Sequence, residues 1–73
     1  MVPEVIAMFG EYIKECRIKK GLTQQQLGEM CGYEGRSAQN TVQKWEYNKQ
    51  PVPLEKIRPL ANALEIPIDS LIP

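Results

Sequence analysis

The sequence predicts an all-α fold of five helices. Three observations carry this. Apolar residues recur at every third or fourth position along most of the chain, and no segment shows the strict alternation of a strand. Gly21 and Gly32 sit where two of the apolar stripes stop, and Pro3, Pro53 and Pro67 sit where others start. Thr23 and Gln26 have the spacing of a capping box, with the apolar residues of a helix beginning directly after them.

The first helix is expected from about Pro3 to Lys20. Proline suits the first helical turn. Ile6, Phe9, Ile13 and Cys16 form one apolar stripe, and Val5, Met8 and Tyr12 form a second beside it. The second stripe either widens the core face or serves a protein interface. Lys19 and Lys20 complement the helix dipole, and Gly21 terminates it. The second helix runs over 23–31, capped by Thr23, with Leu27, Met30 and Cys31 as its apolar face. Gly28 lowers helix propensity there, which is tolerable where another helix comes close. Gly32 ends it. Residues 33–37 read as a loop containing Gly35, with Ser37 as N-cap of a third helix over 37–47. In that helix Val42 and Trp45 face inward, and Gln39, Asn40, Gln43 and Lys44 face outward. Asn48 to Pro51 form a polar exit loop. The fourth helix is expected over 53–64 on Ile57, Leu60, Ala61 and Leu64. Pro59 lacks a backbone donor and crowds the carbonyl of Glu55, which predicts a kink or an irregular first turn. A short fifth helix over 67–72 turns Leu71 inward.

Seventy-three residues, 42% of them apolar, make one domain, residues 1–73, with a small core. No apolar run is long enough to cross a bilayer, and Met1-Val2-Pro3-Glu4 lacks the basic start of a signal peptide, so the expected location is cytoplasmic. Cys16 and Cys31 fall on apolar stripes and read as reduced core cysteines. With no histidine and no CxxC pair, no metal site or other cofactor is expected. Enzymatic chemistry is not expected either. There is no base for a cysteine nucleophile, no phosphate-binding glycine loop and no paired carboxylates in a pocket; Glu11 and Glu15 are one turn apart on a helix surface.

The formal net charge is zero, which argues against indiscriminate binding to a polyanion. The distribution is uneven. Between residues 36 and 58, Arg36, Lys44, Lys49, Lys56 and Arg58 outnumber Glu46 and Glu55 by three charges, while residues 1–15 and 59–73 are each negative by two. A locally basic face on a neutral protein follows.

Two short helices joined at a glycine turn, the second with amides and a lysine on its outer side, are the pattern of a helix-turn-helix. The segments Gly21-Leu22-Thr23-Gln24, Leu27-Gly28-Glu29, Trp45-Glu46 and Leu60-Ala61-Asn62-Ala63-Leu64 together resemble the lambda-repressor-like, XRE-type helix-turn-helix domains over about residues 9 to 72. The resemblance implies a five-helix lambda-repressor-like DNA-binding fold. It also implies roles for individual residues. Gln24 would hydrogen-bond a DNA phosphate and brace a side chain at the start of the recognition helix. Gly28 would sit where the two helices meet. Gln39, Asn40 and Lys44 would look into the major groove. Arg17 and Glu46 would form a partly buried ion pair tying the recognition helix to the first helix. Glutamine and asparagine can pair with adenine, and lysine with guanine. Thr41, Gln43, Asn48 and Lys49 complete the DNA-facing set, with Thr41, Asn48 and Lys49 suited to phosphate.

The sequence departs from the family in one place. Gly32 to Trp45 spans thirteen positions, about four more than is usual, the surplus lying around Glu34-Gly35-Arg36-Ser37. It either lengthens the turn or adds a turn to the third helix. A longer helix would bring Arg36 or Gln39 to the groove in place of Asn40; alternatively Arg36 meets a partner protein. The leading functional expectation is a sequence-specific transcriptional regulator of phage repressor or Cro type, bound to a double-stranded DNA operator. One recognition helix buries little surface, so a homodimer on a palindromic site is expected, paired through the fifth helix and Leu71, Ile72 and Pro73. The alternative is a protein-binding module on the same fold, either a modulator of a partner repressor or an antitoxin. No membrane association is expected.

Overall fold

A computed structural model of the chain describes residues 2–71, with side chains from residue 9 onward. Four α-helices run in the order α1 (Val2–Lys19), α2 (Gln24–Met30), α3 (Gly35–Glu46) and α4 (Leu54–Leu64), and a single 3₁₀ turn follows at Ile68–Leu71. There is no strand among the described residues. The expected fifth helix is therefore this turn. Its closing bond is of the i to i−3 type, from Ser70 N to the Pro67 carbonyl at 3.0 Å, and the Ser70 hydroxyl donates to the same carbonyl at 2.6 Å. So short a segment gains little from longer-range helical bonds.

Local chemistry sets the start of α2. The Thr23 hydroxyl accepts from Gln26 N at 3.0 Å, and the Gln26 side chain accepts from Thr23 N at 2.8 Å. The start of α3 differs from expectation. The helix begins at Gly35, not Ser37, and Glu34 occupies the cap position without a side-chain hydrogen bond. Gly35 adopts φ 57°, a left-handed conformation that lets the chain enter the helix two residues early. Ser37 thus lies inside the first turn. Only residues 31–34 separate α2 from α3, so the surplus residues extend α3 and leave the turn short. At its far end α3 is closed by Asn48 at φ 59°, with Lys49 N donating to the Lys44 carbonyl at 2.8 Å.

α4 runs through Pro59 as one helix. Its first turn is tightened, with Lys56 N bonded to the Pro53 carbonyl at 2.9 Å. The core gathers Ile13 of α1, Leu27 and Cys31 around α2, Val42 and Trp45 of α3, Ile57, Leu60 and Leu64 of α4, and Leu71. Phe9, Tyr12 and Cys16 pack partly buried against it, and both cysteines are free thiols. Ile6, Val5 and Met8 lie outside the described side chains. Two expectations change here. Met30, the last residue of α2, is 53% exposed and does not join the core, which α2 reaches through Leu27 and Gly28. Leu71 is 2% exposed and belongs to the core of its own chain, so it does not offer a pairing surface; Ile72 and Pro73 lie outside the described residues.

Candidate nucleic-acid interface

The α2–α3 unit is held by a close approach. A Cβ placed on Gly28 would lie 2.7 Å from both the carbonyl carbon and the Cβ of Ala38, so a side chain at this point would force the helices apart. Ala38, Val42 and Trp45 form the inward side of α3. Tyr33, in the turn, meets Trp45 edge-on with ring centroids 5.9 Å apart. Lys56 of α4 reaches over this turn. Its ammonium donates to the Cys31 carbonyl at 2.9 Å and sits 4.9 Å from the centre of the Tyr33 ring. Burial pushes the Cys31 thiol from 9.0 up to about 11, against a smaller opposing effect of the Lys56 charge. Burial also raises the Tyr33 phenol, aided by Cys31 and Glu55.

The far end of α3 is fixed by an ion pair. Arg17 Nε donates to Glu46 Oε2 at 2.6 Å and Nη2 to Oε1 at 3.2 Å, while Nη1 donates to the Leu22 carbonyl at 2.9 Å. The Glu46 side chain is fully buried and that of Arg17 nearly so. Gln24 Nε2 completes the set by donating to Glu46 Oε1 at 3.1 Å. The side chain of Gln24 therefore braces the end of α3, not its start. A buried carboxylate has more lone pairs than one guanidinium fills, and Gln24 meets that demand.

With Glu46 inside, the outer side of α3 carries no acid. Arg36, Gln39, Asn40 and Lys44 are exposed there, and Gln43 is half-buried. Helical spacing sets Arg36, Asn40, Gln43 and Tyr47 in one stripe, with Gln39 and Lys44 flanking it. Arg36 and Asn40 are thus presented together, and neither displaces the other. Two shallow hollows adjoin at Tyr47. One is lined by Asn40, Gln43, Lys44, Tyr47 and Lys49. The other includes Lys14, Arg17, Gln24, Gln25, Gln39 and Tyr47. Arg36 and Thr41 line neither. Asn48 is turned toward α1, where its Oδ1 would lie 2.5 Å from a Cβ on Gly10. It also lines an apolar hollow with Phe9, Ile13, Trp45 and Val52.

Three residues of this surface escape the sequence reading. Tyr47 is 56% exposed at the junction of the two hollows. Lys14 is brought to the same place from α1. Gly10 lets α1 approach the end of α3, since a Cβ there would lie 2.9 Å from the Glu46 carbonyl carbon. A glycine inside an otherwise regular helical pattern was the available signal for the last of these.

A helix-turn-helix family model matches residues 13–71. The chain belongs to the XRE-type helix-turn-helix family. It is 32% identical over 65 residues to the SPbeta prophage-derived uncharacterized HTH-type transcriptional regulator YonR of Bacillus subtilis, an alignment covering 89% of this chain and 56% of YonR. The chain therefore spans about half the length of that relative. No solved structure matches it. Among the described residues, no helix is long and apolar enough to cross a membrane.

Proposed function

We propose that the protein is a sequence-specific DNA-binding transcriptional regulator that lays α3 in the major groove of its operator. The observation that carries this reading is the burial of Glu46 against Arg17, which leaves Arg36, Lys44 and Lys49 on an outer face with no opposing carboxylate between residues 35 and 49. The zero net charge is thereby resolved into a basic recognition face and acidity elsewhere. Gln39 and Asn40 are suited to adenine, Lys44 and Arg36 to guanine. Thr41, Gln43, Lys49 and the outward edge of Gln24 are suited to phosphate and sugar, which set register, whereas Asn48 is turned to α1. The name of YonR supports a regulator of prophage type. A module with one recognition helix covers roughly 600–1,000 Å² of its own surface, so two copies on a two-fold operator supply the remaining affinity.

Binding-site selection followed by gel shifts in rising salt tests this reading. Asn40→Ala is expected to lower affinity for the selected site by about 5- to 150-fold and to relax preference at one base pair, the equivalent of ~1–3 kcal/mol. Lys49→Ala is expected to weaken all sequences alike. No binding even at low salt would refute the proposal. A co-purifying protein that survives high salt would favour a modulator or antitoxin instead.

A further inference from the structure

On the DNA-binding reading above, the contact surface need not end with the helix-turn-helix. Gly10, Lys14 and Arg17 lie one turn apart along a single stripe of α1. Both neighbours of Lys14 on that stripe touch the end of α3. Gly10 faces the Glu46 carbonyl group and the Asn48 side chain, and Arg17 holds the Glu46 carboxylate. Lys14 is thereby carried to the same end of the recognition helix, where it lines one hollow with Gln24, Gln39 and Tyr47. Tyr47 also lines the hollow that contains Asn40, Lys44 and Lys49, so a duplex seated along the outer face of α3 runs over both. Arg17 is committed to Glu46 and Leu22. The ion pairs found among the described residues, Arg17–Glu46 and Lys20–Glu65, leave the Lys14 ammonium open to an outside anion.

We propose that Lys14 is a phosphate-binding residue of the DNA interface, so that three helices, α1 with α2 and α3, grip the backbone. An ammonium on a flexible stem contributes a sequence-independent contact, and its signature is in the salt dependence of binding. Each phosphate contact adds about 0.9 to the slope of log affinity against log salt concentration, which at 0.1 M salt corresponds to a factor of about eight.

The test compares the intact protein with Lys14→Ala, Lys14→Arg and Lys19→Ala on its selected operator and on random duplex, across a salt series. Lys19 is an exposed lysine of the same helix that lines neither hollow. Lys14→Ala is expected to lower the slope by about 0.9 and the affinity at 0.1 M salt by about eightfold, equally on both duplexes. Lys14→Arg is expected to keep the slope, and Lys19→Ala to leave it unchanged. If the parent binds with a steep salt dependence that Lys14→Ala does not alter, the inference falls and the DNA-binding reading stands. If Lys19→Ala lowers the slope as much, the effect is general charge and the inference also falls. If the parent binds no DNA, both fall.

Discussion

Replacing Arg17 with alanine removes three hydrogen bonds made by one guanidinium. Two go to the Glu46 carboxylate, and the third goes to the Leu22 carbonyl at the entry to α2. What remains for Glu46 is a single amide donor, Gln24 Nε2 at 3.1 Å, on a side chain with no solvent exposure. The loss is dominated by the stranded charge. Breaking a buried pair from one side costs roughly 3–5 kcal/mol, more than the intact pair contributes over an apolar replacement. In a domain of this size each kcal/mol moves the melting temperature by about 4–8 °C, so the midpoint is expected to fall by roughly 12–40 °C. Small single cores rarely hold more than about 3–5 kcal/mol in total, so Arg17→Ala is expected to be largely unfolded at growth temperature. Far-ultraviolet circular dichroism on heating measures the midpoint, and urea titration in the cold gives the free energy if the variant melts too early. The double variant Arg17→Met, Glu46→Leu removes the buried charge altogether and is expected to recover most of the loss. A single variant melting within about 3 °C of the parent would show that Glu46 finds solvent or another partner, and would refute the reasoning.

Gly28→Ala gains about 1 kcal/mol of helix propensity but sets a methyl 2.7 Å from Ala38, at the carbonyl carbon and the Cβ alike. The overpacking cost of ~1–3 kcal/mol is expected to win, and a raised melting temperature would contradict the close approach. Cys31 adds a pH dependence. Between 9.0 and about 11 an unfolded chain has released this proton while the folded chain keeps it, so folding stability is expected to fall as pH rises through that window. Cys31→Ala should flatten part of that alkaline slope in denaturant titrations; an unchanged slope would assign it to other groups. At pH near 8 a thiol reagent should label half-buried Cys16 well before Cys31, whose labelling should track unfolding.

The helical stripes of α1 and α4, the Thr23–Gln26 box and the glycine ends of α1 and α2 were legible in the sequence because each is a relation between residues a few positions apart. The Arg17–Glu46 pair, 29 positions apart, was reachable only through resemblance to a family. The start of α3 at Gly35, two residues before the expected Ser37, has a definite physical reason. Ser37 carries the side-chain signal of a cap, but the backbone freedom of Gly35 starts the helix earlier, and the chain forgoes a side-chain cap. The brace made by Gln24, the exposure of Met30 and the burial of Leu71 depend on which side of a short segment meets another element. Periodicity over four to seven residues does not specify that.

The sequence by itself determined the helical class, most element boundaries and the polar set Gln39, Asn40, Gln43 and Lys44, because hydrophobic periodicity and capping act locally. The tertiary structure alone decided that the surplus residues extend α3, that Gly10 and Gly28 are points of contact, and that Lys14 and Tyr47 lie beside the outer face of α3. It also decided the charge of that face. A count of residues treats Glu46 as one acid among nine. Packing places it at the junction of α1, α2 and α3, neutralised by Arg17, and only then does a chain of zero net charge present a basic helix to its surroundings.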